Sequence, residues 1–274
     1  MNMFNPEQTV QTYAGAGEGK CRNSAAKLFV LAILAGLFIA TGASASSTAA
    51  HTISNVGVAR FVSGALFPVG LIMVVLMGAE LFTGNCLIII SVLSRKVTVM
   101  SMVRCLVIVY VGNFVGSIIA AALVAFAGQL NYSGNLLAVY AIKVAVGKCS
   151  LNFVPALLSG VFCNILVCMA VIGSVTAKDT GGKILASYFP IMTFIVCGFE
   201  HCVANMYYIV VALFAKLVPV YAEAAAAAGV DMANLSIKGM FLGNLLPVTI
   251  GNVIGGLMVG AMLWYAHTKK ADKN

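Results

Sequence analysis

Glu200 and His201 stand side by side in the apolar stretch CGFEHCVAN, residues 197–205. A charged side chain at the centre of a bilayer costs about 2.5–3.5 kcal/mol even on insertion scales, so ionisable residues in apolar spans are rare and mark functional sites. Histidine titrates near neutral pH and can donate, accept or carry a proton. This pair therefore predicts a site for polar or proton chemistry in apolar surroundings.

Further polar residues fall in other apolar stretches of the chain. The segment ELFTGN, residues 80–85, contains a second glutamate followed five residues later by asparagine, as in EHCVAN. Glu200 must point roughly 100° away from His201 on a helix, so we interpret it as a buried structural anchor, with Glu80 as its counterpart. Asparagines at bilayer depth more often face a cavity or each other than lipid. These asparagines are Asn164, Asn205 and Asn252.

The composition indicates an all-α integral membrane protein. Of the 274 residues, 61% are hydrophobic and only 9% are charged, against roughly 25% charged residues in a soluble domain. Six apolar runs approach or exceed the roughly 20 residues that cross a hydrocarbon core. The predicted spans are 28–50, 61–93 with an interruption, 99–127, 153–176, 184–217 with an interruption, and 239–264.

The distribution of Lys and Arg predicts the orientation. If both termini lie on one side, that side holds eleven of the 16 basic residues, which makes it the cytoplasmic side. We expect the membrane to be a prokaryotic inner membrane. We expect a cytoplasmic segment at 1–26, one channel domain at 27–265 and a cytoplasmic tail at 266–274. The first apolar run followed by Ala-Ser-Ala also resembles a secretory signal, but a matching segment inside the chain favours a retained span.

The sequence contains an internal repeat, with one half at 27–128 and the other at 149–265. AILAGLF at 32–38 matches ALLSGVF at 156–162, ELFTGN matches EHCVAN, and GNFVG at 112–116 matches GNVIG at 251–255. Three spans per half force the second half to enter the membrane from the opposite side. Inverted repeats with paired helix breaks are typical of transporters and channels, so we expect helices 2 and 5 to be interrupted and to meet around a central path.

Helical spacing indicates which faces line that path. One stripe joins Phe194 and Gly198 to His201 and Asn205, and two others run from Phe67 to Gly78 and from Gly160 to Val171. For the Phe and Leu positions, ordinary helix packing is the competing interpretation.

The segments ELFTGN, GFEHCVANMY at 198–207 and GNLLPVTIGNVIGG at 243–256 resemble the formate/nitrite transporter family, whose members carry small monovalent anions such as formate, nitrite, hydrosulfide and lactate. The resemblance extends from the first span to the sixth. It implies an aquaporin-like six-helix protomer that assembles as a homopentamer with one pore per subunit. We expect neither a cofactor nor a metal. GKCSLNF around Lys148 resembles the hydrosulfide channel branch most.

The resemblance also implies a role for each position. Thr83 and His201 would face each other at the pore centre, supported by Asn164, Asn205 and Asn252, and Lys148 would supply positive charge in the outer vestibule. Hydrophobic constrictions would follow on the two sides of the centre. Phe67, Leu71, Val167 and Phe194 would form the cytoplasmic one, and Leu81, Phe82 and Cys197 the outer one.

Two mechanisms are open for such a centre. His201 either lends a proton, because a neutral acid crosses an apolar ring far more cheaply than its anion, or stays neutral and donates a hydrogen bond to the passing anion. An enzyme is disfavoured because Gly-x-Ser-x-Gly and HExxH signatures are missing. Formate- or nitrite-dedicated transport, a non-anion pore and a membrane protein without transport are the remaining alternatives.

Overall fold

The computed structural model describes residues 2–268. Within this range the chain is helical, apart from turns and one isolated antiparallel bridge between Met3 and Ala177. The α-helices, in chain order, are α1 (Pro6–Arg22), α2 (Ala25–Ala50), α3 (Val56–Leu66), α4 (Val69–Met77), α5 (Phe82–Asn85), α6 (Ile89–Leu93), α7 (Val99–Phe126), α8 (Leu136–Cys149), α9 (Phe153–Thr176), α10 (Thr180–Cys197), α11 (Cys202–Lys216), α12 (Pro219–Ala227) and α13 (Leu246–Thr268).

Six helical segments are long and apolar enough to cross a membrane, which confirms the six-span prediction. They are Ala25–Ala50, Val56–Met77, Val99–Phe126, Phe153–Thr176, Thr180–Cys197 and Gly239–Thr268, where the last includes a π-helical turn ahead of α13. The fourth begins and ends at the predicted residues. Of the predicted tail, residues 269–274 lie outside the described part of the chain.

Three helices, α1, α8 and α12, lie outside the six spans predicted from the sequence. Helix α1 was not predicted, although Asn5 and Gln8 form a capping box around its first turn and Pro6 follows the cap, which is a strong start signal. Helix α8, between the third and fourth spans, was also missed. Helix α12 follows α11 and bends away from it by 100°.

The repeated glycine motifs bring pairs of spans together. A Cβ atom on Gly36 of α2 would clash with the backbone carbonyl of Asn113 in α7, and one on Gly116 would clash with that of Ile33. In the second half, a Cβ on Gly251 of α13 would clash with the carbonyl of Leu157 in α9. Small residues let membrane helices approach this closely, so each half has one tight helix pair that supports its interrupted helix.

Candidate functional site

The two interrupted helices break at equivalent glycines. Helix α4 is followed by Gly78 and α10 by Gly198, with φ of 64° and 76°, in the left-handed region that favours glycine. The amide that follows each glycine donates to a carbonyl five residues earlier, Ala79 to Val74 and Phe199 to Phe194, both at 3.0 Å. Each break thus has the Schellman type of helix end, and both predicted interruptions are confirmed.

After each break the chain restarts as a helix, and the residue that follows the glutamate is the N-cap of that helix. Leu81 precedes α5 with φ −107° and ψ 125°, and His201 precedes α11 with φ −112° and ψ 114°. The same backbone position therefore carries a leucine in the first half and a histidine in the second.

Each break glutamate is buried and bound by an asparagine and a lysine. Glu80 Oε2 accepts from Asn85 Nδ2 and Lys20 Nζ, both at 2.7 Å. Glu200 Oε2 accepts from Asn205 Nδ2 at 2.6 Å, while its Oε1 pairs with Lys148 Nζ at 2.9 Å. Buried carboxylates need such partners.

A second asparagine holds the restart of each helix. In the first half, Asn113 accepts from the amide of Phe82 at 2.9 Å and donates to the carbonyls of Ala32 and Glu80. Sequence reasoning missed Asn113, although it occupies the same position in GNFVG as Asn252 in GNVIG. Asn252 was among the predicted site residues, so the repeat could have identified Asn113.

Asn252 does the same in the second half. It accepts from the amide of Cys202 at 2.9 Å and donates to the carbonyls of Gly160 and Glu200 at 2.8 and 3.0 Å. It therefore fixes backbone at the break, and these three side-chain hydrogen bonds all go to main-chain atoms.

Thr83 and His201 meet where the two breaks come together. Thr83 Oγ1 lies 2.8 Å from His201 Nε2, and both residues are buried. The amide of Ala204 donates to His201 Nδ1 at 3.0 Å, so Nδ1 is an acceptor and the proton of the neutral ring resides on Nε2. His201 thus caps α11 and directs an N–H at the threonine hydroxyl.

The other predicted asparagines lie beside this pair. Asn164 Nδ2 donates to the carbonyls of Thr83 at 3.2 Å and Asn252 at 2.5 Å, which ties α9 to both breaks. Asn205 Nδ2 donates to Glu200 and also to Asn244 Oδ1, a residue of the π-helical turn that sequence reasoning missed. The side-chain oxygens of Asn164 and Asn205 are buried and have no hydrogen-bond partner among residues 2–268.

Two cavities approach the pair from opposite ends. The α8-side cavity has a volume of about 770 Å³ and is lined by parts of α2, α3 and α8 and by Gly198. The α1-side cavity, of about 220 Å³, is lined by Leu71, Leu81 and Gly84 and covered by Tyr13 and Lys20 of α1. Tyr13 donates its hydroxyl to the carbonyl of Gly84 at 3.1 Å, which fastens α1 beneath the first break.

Buried aromatic rings lie next to the histidine. Phe67 and Phe194 meet edge to face with ring centroids 5.5 Å apart, and Phe194 stacks on His201 at 5.8 Å. Val167 is also fully buried. These residues form a dry apolar layer beside the Thr83–His201 pair.

The expected division of the constriction residues is wrong for Leu81, because Leu81 and Leu71 line the same α1-side cavity. Helix α3 lines the α8-side cavity and the end of α4 lines the α1-side cavity, so Leu81, which follows α4, lies on the α1 side of the first break. Phe82 packs edge to face on Tyr110 at 4.9 Å and lines neither cavity. Cys197 is exposed at the end of α10, so the structure does not enclose it in a constriction.

Lys148 lines the α8-side cavity, but it is not a free charge. Its Nζ is paired with Glu200, the two side chains are 15% and 9% exposed, and the ammonium lies 5.4 Å from the Tyr208 ring centroid. The expectation of an open vestibule charge did not include this pairing, which offsets the field of the lysine.

A family model described as formate/nitrite transporter matches residues 7–266. The chain belongs to this family. It is 33% identical to a probable formate transporter of Methanothermobacter thermautotrophicus, over 97% of each chain. Among solved structures, it is similar to an FNT family ion channel with a TM-score of 0.82 and 27% identity, covering 94% of this chain and 98% of that one.

A second solved structure is described as a pentameric formate channel with formate bound. Its TM-score is 0.78 at 33% identity, and the alignment covers 89% of this chain and 98% of that chain. Members of the family are channels and transporters rather than enzymes. The chain is therefore a multi-pass membrane protein of a family that transports small anions. The similarity to the family extends over nearly the full length of the chain.

Proposed function

We propose that each subunit forms a channel for small monovalent anions, with Thr83 and His201 as its selective centre. The observation that carries the proposal is the 2.8 Å contact between Thr83 Oγ1 and His201 Nε2, made between the two helix breaks. Leu81 and Gly84, on either side of Thr83, line one cavity, and Gly198, three residues before His201, lines the other. A path between the cavities would pass this pair.

The hydrogen bonds around His201 favour the neutral-donor mechanism. A proton on Nδ1 would face the amide of Ala204, which now donates to that nitrogen, so an imidazolium would break the cap of α11. The neutral ring offers its Nε2 proton to Thr83, and the threonine hydroxyl is then free to donate to an anion. Hydrogen bonds to an ion contribute about 1.5–3 kcal/mol each, which lowers the barrier at the dry Phe67 and Phe194 layer.

Two substrates have support from different observations. The likeness of GKCSLNF to the hydrosulfide branch favours hydrosulfide, with formate and nitrite as further substrates. A relative named as a probable formate transporter and a formate channel of similar structure favour formate. A competitive flux assay with formate, nitrite and hydrosulfide in one purified preparation ranks them.

We further propose a homopentamer in a prokaryotic inner membrane, with both termini and α1 in the cytoplasm and α8 outside. The assembly is supported by the likeness to a pentameric channel, and the orientation by the eleven basic residues on the α1 side. Light scattering of the detergent-solubilised protein and protection of α1 from added protease in right-side-out vesicles test these two statements.

The test of function uses proteoliposomes with wild-type protein, His201→Asn and His201→Leu. Asparagine keeps a donor without a neutral-range titration, whereas leucine keeps neither. The neutral-donor channel predicts that His201→Asn retains measurable formate or hydrosulfide flux and that His201→Leu loses about tenfold or more. Equal loss in both variants would favour the proton relay. Wild-type flux equal to that of protein-free liposomes for all three anions would overturn the function.

A further inference from the structure

The α8-side cavity is lined by basic side chains. Arg60 from α3 and Lys143 and Lys148 from α8 contribute to its wall, and no Asp or Glu among the described residues does so. An anion in this cavity therefore meets three cations before it reaches the second helix break.

These three cations differ in how they are compensated. Lys148 is partly buried against Glu200 at 2.9 Å, so an anion meets a nearly neutral pair there. Arg60 and Lys143 are exposed, and neither has a carboxylate within 4.0 Å in residues 2–268. The net positive charge of the cavity is thus supplied by Arg60 and Lys143.

Arg60 lies against the entrance to the second break. Its Nη1 donates to the carbonyl of Val196 at 3.1 Å, and a Cβ built on Gly198 would lie 3.2 Å from the same nitrogen. A guanidinium has five N–H donors in a planar fork. One is used by Val196, and the others have no acceptor in the described part of the protein.

We propose that Arg60, assisted by Lys143, forms an anion-capture site in the α8-side cavity. Arg60 lies beside Gly198, which precedes His201 by three residues in the chain. The site takes planar monovalent oxyanions best, because a carboxylate or nitrite offers two oxygens to the guanidinium fork. Hydrosulfide has a single acceptor atom and gains only the charge attraction. This inference rests on the proposed channel function and adds a selectivity step to it.

The experiment measures initial anion influx against concentration for purified protein in proteoliposomes. For Arg60→Gln, loss of one nearby charge raises the half-saturating formate concentration about fivefold, while the rate at saturation changes little. Arg60→Lys keeps the charge and loses the fork, so formate is weakened and hydrosulfide is unchanged. Lys238→Gln, which removes an exposed charge away from the cavity, leaves both anions unchanged.

A second variant guards against a folding effect at Arg60, which holds backbone. Lys143 makes no hydrogen bond or ion pair within residues 2–268, so Lys143→Glu leaves the fold intact and raises half-saturation for both anions. If both Arg60→Gln and Lys143→Glu leave half-saturation unchanged in a preparation whose wild type conducts, the capture site is overturned and the channel function stands. If the wild type conducts no anion, the channel function falls and the capture site with it.

Discussion

The two helix breaks share a scaffold and differ in their chemistry. Glycine with positive φ, a buried glutamate and an asparagine five residues after it recur at 78, 80 and 85 and at 198, 200 and 205. The site residues do not recur. The position of His201 is Leu81 in the first half, and the position of Thr83 is the buried Val203 in the second.

This difference shows how a duplicated fold forms an asymmetric centre. Each half contributes one polar side chain, but Thr83 is three residues after its glutamate and His201 is one residue after its own. The two side chains therefore do not occupy symmetry-related positions. The lysines differ as well, because Lys20 from α1 binds both Glu80 and Asn85, whereas Lys148 binds Glu200 alone. The second glutamate receives Asn244 instead, at 3.2 Å.

The largest difference is expected when the glutamates are neutralised. Glu200→Gln leaves Lys148 with 15% exposure and no charge partner, and breaking a buried pair costs about 3–5 kcal/mol in the free energy of unfolding. Glu80→Gln costs less, because the Lys20 side chain is 24% exposed and keeps contact with Asn85. Unfolding of the detergent-solubilised variants, followed by circular dichroism, measures both. Equal losses would contradict the difference between the breaks.

The break asparagines are expected to behave alike. Asn113→Ala and Asn252→Ala each leave one buried amide and two carbonyls without their side-chain partner. An unsatisfied buried donor costs about 1–3 kcal/mol, so the two variants lose similar stability in the same unfolding assay. If only one of the two variants lost stability, the two breaks would not share this scaffold.

The glycines give the smallest and most local contrast. Alanine at a positive φ costs about 1–2 kcal/mol, and this applies to Gly78→Ala and Gly198→Ala alike. Only the second also meets a neighbour, the Arg60 guanidinium at 3.2 Å, since a Cβ on Gly78 has open space. We expect Gly198→Ala alone to raise the half-saturating formate concentration from the α8 side. The same rise in Gly78→Ala would refute the link to Arg60.

The spans and their breaks were predictable because their signals are local. Long apolar runs fix the spans, and Glu-x₄-Asn with a nearby glycine marks both breaks. Helix α1 was missed because its residues are mostly polar and no apolar run marks it. Its capping box, Asn5 and Gln8, could have been recognised in the sequence. The side on which Leu81 lies depends on the turn of the chain at Gly78, and the pairing of Lys148 with Glu200 depends on the placement of α8. Both are tertiary facts without a local pattern.

The central claim is that Thr83 and His201 act as one unit contributed by two halves. A double-mutant cycle on formate flux, with Thr83→Val, His201→Leu and the double variant at equal protein content, tests it most directly. Each single variant is expected to reduce flux by about 10–100-fold. The flux of the double variant is expected to be no lower than that of the single variant with the lower flux. If the two losses multiply, the residues act independently and the account of a shared centre is contradicted.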